Sequence, residues 1–149
     1  MNKVKPYRIT IHCSDSANGV AVSKEEITKW HMLRGFRTIG YHLVINPSDY
    51  YYGRSYDELG AHVRLANTGN IGICMVGRDR FTYRQFQMLH DHLDQIRLSY
   101  GIPYQNIFCH YQFPTAQKDG KTCPNMSIND LLAWYILGDY RIIDPYVLK

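Results

Sequence analysis

Residues 71–76 read Ile-Gly-Ile-Cys-Met-Val, a run that is apolar at both odd and even positions. A strand with this pattern is covered on both faces, which is typical of the centre of a sheet that lies between layers of helices. The run therefore predicts a layered domain, in which the flanking segments supply the neighbouring strands and the covering helices.

Strand-like runs and capped helices alternate on both sides of this central strand. Four further segments have strand character: 7–13, 41–45, 50–53 and 107–110. Three helix starts carry a hydroxyl residue followed three positions later by a partner: Ser23 and Glu26, Thr82 and Gln85, Ser127 and Asp130. Residues 111–126 are polar and are predicted as a loop. We predict one α/β domain over residues 1–149, with a mixed sheet of about five strands flanked by about three helices.

The composition excludes several classes of protein. Of the 149 residues, 45% are hydrophobic and 20% are charged, which are values of a globular chain rather than a disordered one. The net charge of +4 comes from scattered basic residues, so we expect no nucleic-acid partner. No window approaches the ~18 consecutive apolar residues of a membrane helix, and no signal-like apolar stretch follows the first residues. We therefore expect no membrane partner and synthesis without a signal peptide.

The four cysteines fall into two groups. Cys13, Cys74 and Cys109 lie in or beside apolar runs, whereas Cys123 lies in a polar segment. We expect the first three to be buried core thiols and expect no disulfide framework, which is usual in shorter, cysteine-dense secreted chains.

Two histidines stand where predicted strands end, and Cys123 follows the second of them. His12 closes the first strand and His110 closes the last. Two imidazoles and a thiolate can hold zinc in a tetrahedral site that leaves the fourth position for water, the arrangement of a catalytic zinc. Spacing alone leaves a second interpretation open, in which both histidines bond to backbone and Cys123 is a buried thiol.

Five segments in order along the chain carry a resemblance to a known family. They are Ile-Thr-Ile-His-Cys-Ser (9–14), Ile-Gly-Tyr-His-Leu-Val-Ile (39–45), Gly-Ala-His (60–62), Asn-Ile-Gly-Ile-Cys-Met-Val-Gly (70–77) and Lys-Thr-Cys-Pro (121–124). Together they resemble the zinc-dependent N-acetylmuramoyl-L-alanine amidases, the superfamily of phage lysozyme-type amidases and peptidoglycan recognition proteins. The resemblance extends over residues 7–137.

The resemblance implies a role for six residues. His12, His110 and Cys123 would bind one zinc ion per chain, while Tyr41 and Lys121 would be the catalytic pair. Relatives without amidase activity typically carry serine in place of the cysteine ligand, so the presence of Cys123 favours an enzyme. His62 matches a position near the substrate groove, where it either contacts substrate or bonds to backbone.

The activity implied is hydrolysis of the amide between N-acetylmuramic acid and the L-alanine of the stem peptide of bacterial peptidoglycan. The chain resembles a phage endolysin, which would be made in the host cytoplasm, act on the cell wall and work as a monomer, with no protein partner identified. Two alternatives stay open: a non-catalytic module of the same fold that binds peptidoglycan or a protein, and an amidase for soluble anhydro-muropeptides.

Two further expectations concern the surroundings of this site. Twelve residues separate His110 from Cys123, more than in the compact members of the family that the chain resembles, which implies a small insertion beside the metal within residues 111–120. Four other histidines are expected to serve packing or lie on the surface: His31, His42, His90 and His92.

Overall fold

A five-stranded mixed sheet forms the middle layer of the protein, for which the computed structural model describes residues 3–149. The strands are β1 (Arg8–Cys13), β2 (Leu43–Ile45), β3 (Tyr50–Tyr52), β4 (Asn70–Met75) and β5 (Ile107–Cys109). Their order across the sheet is β3-β2-β4-β1-β5, and all neighbours are parallel except β2 and β3. The apolar run at 71–76 is thus the central strand, as predicted, and the hairpin is confirmed as the antiparallel edge.

Helices cover both faces of the sheet. They are α1 (Lys24–Leu33), α2 (Tyr83–Tyr100), α3 (Pro114–Lys118) and α4 (Ile128–Leu137). The main core joins α2 and α4 to one face, with Leu89 of α2 and Trp134 of α4 packed over Ile11 and Ile73 of the central strands. A smaller core joins α1 to part of the other face. The prediction of an α/β layered domain is confirmed.

Helix α2 begins with the predicted capping chemistry. The side chain of Thr82 accepts a hydrogen bond from the backbone N–H of Gln85 at 3.1 Å, and the Gln85 side chain accepts one from the N–H of Thr82 at 2.8 Å. Gln85 is fully buried, and its Nε2 donates to the carbonyl oxygens of Ile45 and Val76, each at 2.9 Å. One side chain therefore caps α2 and ties it to the ends of β2 and β4.

The segment predicted as a polar loop, 111–126, has more structure than expected. It begins within a 3-10 turn, His110–Gln112, and then forms α3, so the loop prediction was wrong there and His110 lies just beyond strand β5. Pro114 begins this five-residue helix, where its fixed φ suits the first turn. So short a helix shows too few turns for its periodicity to be recognised in a sequence.

The cysteines have the predicted distribution. Cys13, Cys74 and Cys109 are buried, Cys123 is partly exposed, and all four are free thiols. Within residues 3–149, no helix combines the length and the apolar composition that a bilayer crossing requires.

Candidate active site

The second face of the sheet is only partly covered, and this gap holds the site. Along one row of the parallel register, Val44, Cys74 and His12 lie side by side on β2, β4 and β1. Helix α1 covers Val44 and Cys74. A second apolar cluster, which includes Phe113 and Ala116, packs further along the same face. His12 is left between these two layers, at the floor of a groove of about 790 Å³.

The groove brings together the three residues whose spacing suggested a metal site. One nitrogen of His12, one nitrogen of His110 and the Sγ of Cys123 all lie within 4.8 Å of one another. No other set of metal-ligating side chains of this kind occurs within the described residues 3–149. The Tyr111 backbone N–H donates to the Cys123 carbonyl oxygen at 3.1 Å, which holds the cysteine beside the residue that follows His110. Two nitrogens and a soft sulfur on three separate segments make a donor set that fits zinc.

Burial fixes the protonation states of the two histidines. It lowers the pKa of His12 well below its usual value and, together with the nearby Lys121 ammonium, lowers the pKa of His110 to about 4. Both imidazoles are therefore neutral near pH 7, which is the form that binds a metal.

The thiol of Cys123 sits against β1. Its Sγ accepts the backbone N–H of Cys13 at 2.8 Å. The neighbouring Cys13 thiol and burial raise the pKa of the Cys123 thiol, so a cation binding there has to displace its proton.

Tyr41 and Lys121 both line the groove. The ring centroid of Tyr41 lies 5.2 Å from that of His12. Burial, with the Cys74 thiol nearby, raises the pKa of Tyr41 well above its usual value, so the phenol remains a hydrogen-bond donor at neutral pH. Lys121 is exposed, and its backbone N–H donates to the carbonyl oxygen of Ala116 at 2.9 Å, which ties the lysine to the end of α3.

His62 reaches the same site from the loop before β4. Its Nδ1 lies 2.9 Å from Nε2 of His12, and its Nε2 lies 2.8 Å from the carbonyl oxygen of Asn70. Burial lowers the pKa of His62 to about 3. The side chain thus bonds both to backbone and to a candidate metal ligand, and its predicted contact with substrate stays a prediction.

Several groove residues carried no signal in the sequence. Arg34 after α1 and Arg64 add cationic side chains to the rim, and the exposed end of α3 contributes Asp119. His31 was expected to be a packing residue; it is 5% exposed, and its Nδ1 accepts the Gly40 backbone N–H at 2.8 Å. It also lines the groove beside Tyr41, at 5.0 Å between ring centroids.

His31 should make the stability of the metal-free protein depend on pH. Burial, with Arg34 and Arg54 nearby, lowers its pKa from the usual 6.5 of a histidine to about 4. Between these two values the unfolded chain binds the extra proton, so the free energy of unfolding falls as the pH drops below 6.5. From pH 7.5 to pH 5 we expect His31 alone to account for a loss of about 2 kcal/mol.

Urea unfolding of metal-free wild type and of a His31→Gln variant at both pH values checks this expectation. The variant lacks the titrating group and should lose less stability over the interval. Equal losses in the two proteins would contradict the assignment of a buried neutral imidazole at position 31.

Comparison with known proteins gives consistent matches over most of the chain. The sequence model of a family described as N-acetylmuramoyl-L-alanine amidase matches residues 2–126. The endolysin of Enterobacteria phage K11 is 30% identical over 138 residues, which cover 87% of this chain and 85% of the phage protein. The endolysin of Klebsiella phage KP32 is 31% identical over 137 residues, covering 86% of this chain and 84% of its own.

Solved structures share the fold at lower sequence identity. The N-acetylmuramoyl-L-alanine amidase LysC from Clostridium intestinale URNW superposes with a TM-score of 0.77 at 22% identity, over 91% of this chain and 87% of LysC. Drosophila PGRP-LB superposes with a TM-score of 0.72 at 21% identity, over 89% of this chain and 82% of its own. The five-stranded layered architecture is therefore one that these proteins have in common.

Proposed function

This chain belongs to the N-acetylmuramoyl-L-alanine amidase family, named for hydrolysis of the amide between N-acetylmuramic acid and L-alanine, and on that premise we propose that one zinc ion serves this hydrolysis here. The observation that carries the proposal is the convergence of His12, His110 and Cys123 from three separate segments at the floor of the groove. A zinc ion held by these residues would supply Lewis acidity toward the scissile carbonyl and would lower the pKa of a bound water toward ~7.

The protein's own residues divide the remaining work. The neutral imidazoles of His12 and His110 provide lone pairs, and Cys123 gives up its proton when it binds the cation. Lys121 lines the groove two residues before Cys123, so its ammonium can stabilise negative charge that develops on the scissile oxygen. The protonated Tyr41 hydroxyl orients the attacking water or donates to the same oxygen.

The shape of the groove supports a glycopeptide as substrate. Its volume of about 790 Å³ is in the upper part of the range for ligand sites. Aromatic and cationic side chains, Phe36, Arg34 and Arg64, line its walls and suit a substrate with apolar sugar faces and peptide carboxylates.

We propose that the protein acts on the bacterial cell wall as an endolysin. Both phage relatives named above are endolysins, and each aligns with this chain over more than four fifths of its length. That the amidase domain extends over residues 1–149, that the protein works as a monomer, and that it is made in the host cytoplasm stay predictions.

Purified protein incubated with peptidoglycan sacculi should release stem peptides that begin with a free L-alanine amine. Mass spectrometry of the products identifies the bond cleaved, and elemental analysis of the same sample should give one zinc per chain. Chelation should stop release, and addition of zinc should restore it.

The same assay separates the remaining alternatives. A soluble anhydro-muropeptide tested beside the sacculi distinguishes a wall enzyme from a recycling one by the ratio of the two rates. Binding to sacculi without any release from zinc-loaded protein would contradict the amidase proposal and favour a binding module.

A further inference from the structure

His62 is placed to control which nitrogen of His12 faces the metal site, an inference that rests on the proposed role of His12 as a zinc ligand. The two rings meet edge to face, with their centroids 5.0 Å apart. His12 Nε2 and His62 Nδ1 lie 2.9 Å apart, and His62 Nε2 lies 2.8 Å from the Asn70 carbonyl oxygen. The three groups form a chain of two hydrogen bonds that runs from the backbone of β4 to the floor of the groove.

The direction of both hydrogen bonds follows from the Asn70 carbonyl oxygen, at which the series ends. A carbonyl oxygen only accepts, so His62 Nε2 must carry the proton that it donates to Asn70. The neutral imidazole of His62 then has its lone pair on Nδ1, which accepts the N–H of His12 Nε2. His12 is left with its own lone pair on Nδ1, the nitrogen available for a cation.

The sheet is shaped to hold this arrangement. Gly72 of β4 lies directly beneath the His62 ring, and a Cβ at that position would come within 2.5 Å of the ring carbon Cγ. Gly60 leaves room on another side, where a Cβ would come within 2.7 Å of Cδ2 of the same ring. A side chain at Gly72 would therefore push the His62 ring off the strand and away from His12.

Hydrogen bonds also hold the loop that carries His62 to strand β4, whose Asn70 carbonyl oxygen lies next to the His62 ring. Asn67 Oδ1 accepts the backbone N–H groups of both His62 and Val63 at 2.9 Å. The Asn70 side chain is also committed, because its Nδ2 donates to the Ala66 carbonyl oxygen at 2.8 Å and its Oδ1 accepts the Thr10 hydroxyl at 2.7 Å. These bonds hold the acceptor for His62 Nε2 in place on β4.

We propose that His62 is a positioning residue, which acts through His12 by fixing its Nε2–H tautomer and ring orientation for zinc. A hydrogen-bond partner on the far nitrogen of a metal-binding histidine both orients the ring and raises its basicity. His62 in this role contributes to zinc affinity without contacting substrate.

Two substitutions separate this role from simple space filling. The Oδ1 of asparagine falls where His62 Nδ1 lies, so His62→Asn keeps an acceptor for His12 and loses the donor to Asn70. Glutamine places its amide where His62 Nε2 lies, so His62→Gln keeps a donor to Asn70 and loses the acceptor for His12. A purely structural role predicts equal effects of the two changes on zinc binding.

Zinc dissociation constants measured by competition with a chromophoric chelator should show the difference. We expect His62→Gln to weaken zinc binding by ~10–100-fold, the usual effect of losing such a partner, and His62→Asn to bind several-fold more tightly than His62→Gln. Gly72→Ala, which retains all the histidines in the sequence but displaces the His62 ring, should weaken binding in the same direction. Thermal unfolding of each metal-free variant shows whether it is folded.

A second readout needs neither zinc nor activity. Long-range ¹H–¹⁵N spectra of the histidine rings in metal-free wild-type protein report the tautomer directly, and we expect His12 to carry its proton on Nε2. A proton on Nδ1 of His12 would overturn the inference even if no variant folded.

The outcomes distinguish this inference from the function on which it rests. Wild-type protein that binds no zinc would overturn the proposed zinc site itself. Wild-type zinc binding with unchanged affinity in both His62 variants would overturn only the positioning role.

Discussion

Replacing Cys123 by serine is expected to remove zinc from the protein and to lower the rate of sacculus hydrolysis. The loss of rate should exceed the ~10–100-fold that is typical when a residue that only contacts a metal-binding side chain is replaced. The serine hydroxyl keeps its proton near neutral pH and is a poor ligand beside two imidazoles, whereas thiolate is a preferred donor for zinc. His12→Ala and His110→Ala should act in the same way. Metal content and steady-state release of stem peptides, measured on the same samples, check the result.

Cys109→Ala is the matched control for the loss of a thiol. Cys109 is fully buried in the core on the opposite face of the sheet, so its removal should lower stability and leave zinc content unchanged. The zinc-free Cys123→Ser protein should still unfold cooperatively, because a core of this size does not depend on an ion. Full zinc occupancy in Cys123→Ser would show that the ligand set is wrong.

Lys121→Ala and Tyr41→Phe are expected to keep zinc and yet lose turnover by ~10²–10³-fold, because their side chains act only as charge develops in the transition state. A 10²-fold loss corresponds to about 2.7 kcal/mol of transition-state stabilisation. An interaction made only there lowers kcat and leaves KM little changed. Steady-state kinetics on a muropeptide with metal analysis of each sample tests both variants.

Two substitutions outside the groove serve as controls for this pair. Lys118→Ala removes an exposed ammonium three residues from Lys121, and Tyr104→Phe removes an exposed phenol; both should retain the wild-type rate. Lys121→Arg keeps the charge but spreads it over a planar group, so a partial recovery would separate the need for charge from the need for its position. Near wild-type rates for both Lys121→Ala and Tyr41→Phe would refute their catalytic roles.

The framework of this fold could be predicted from local patterns. The two-sided apolar run at 71–76 identified the central strand, and Thr82 with Gln85 identified the start of α2, because burial on both faces and capping leave their mark within a few neighbouring residues. Helix α3 escaped prediction since five residues carry no measurable period.

The residues of the site likewise include some that local patterns predicted and some that they did not. His12 and His110 could be identified because they end predicted strands, Cys123 because it follows His110, and all three because of the resemblance. The pairing of His62 with His12 joins residues 50 positions apart and depends on the missing side chain of Gly72, so no local pattern could reveal it. Arg34 and His31 reach the groove from the end of α1, and their placement depends on the angle at which that helix packs.

The two faces of the sheet contribute differently to stability and to function. The face beneath α2 and α4 holds most of the apolar core, whereas the opposite face holds the groove and the histidines that line it. Trp134 packs on the face opposite His12, so substitutions that improve the packing around Trp134 are expected to raise the melting temperature without altering the geometry at His12. Selection can adjust the durability of this enzyme and its chemistry as separate traits.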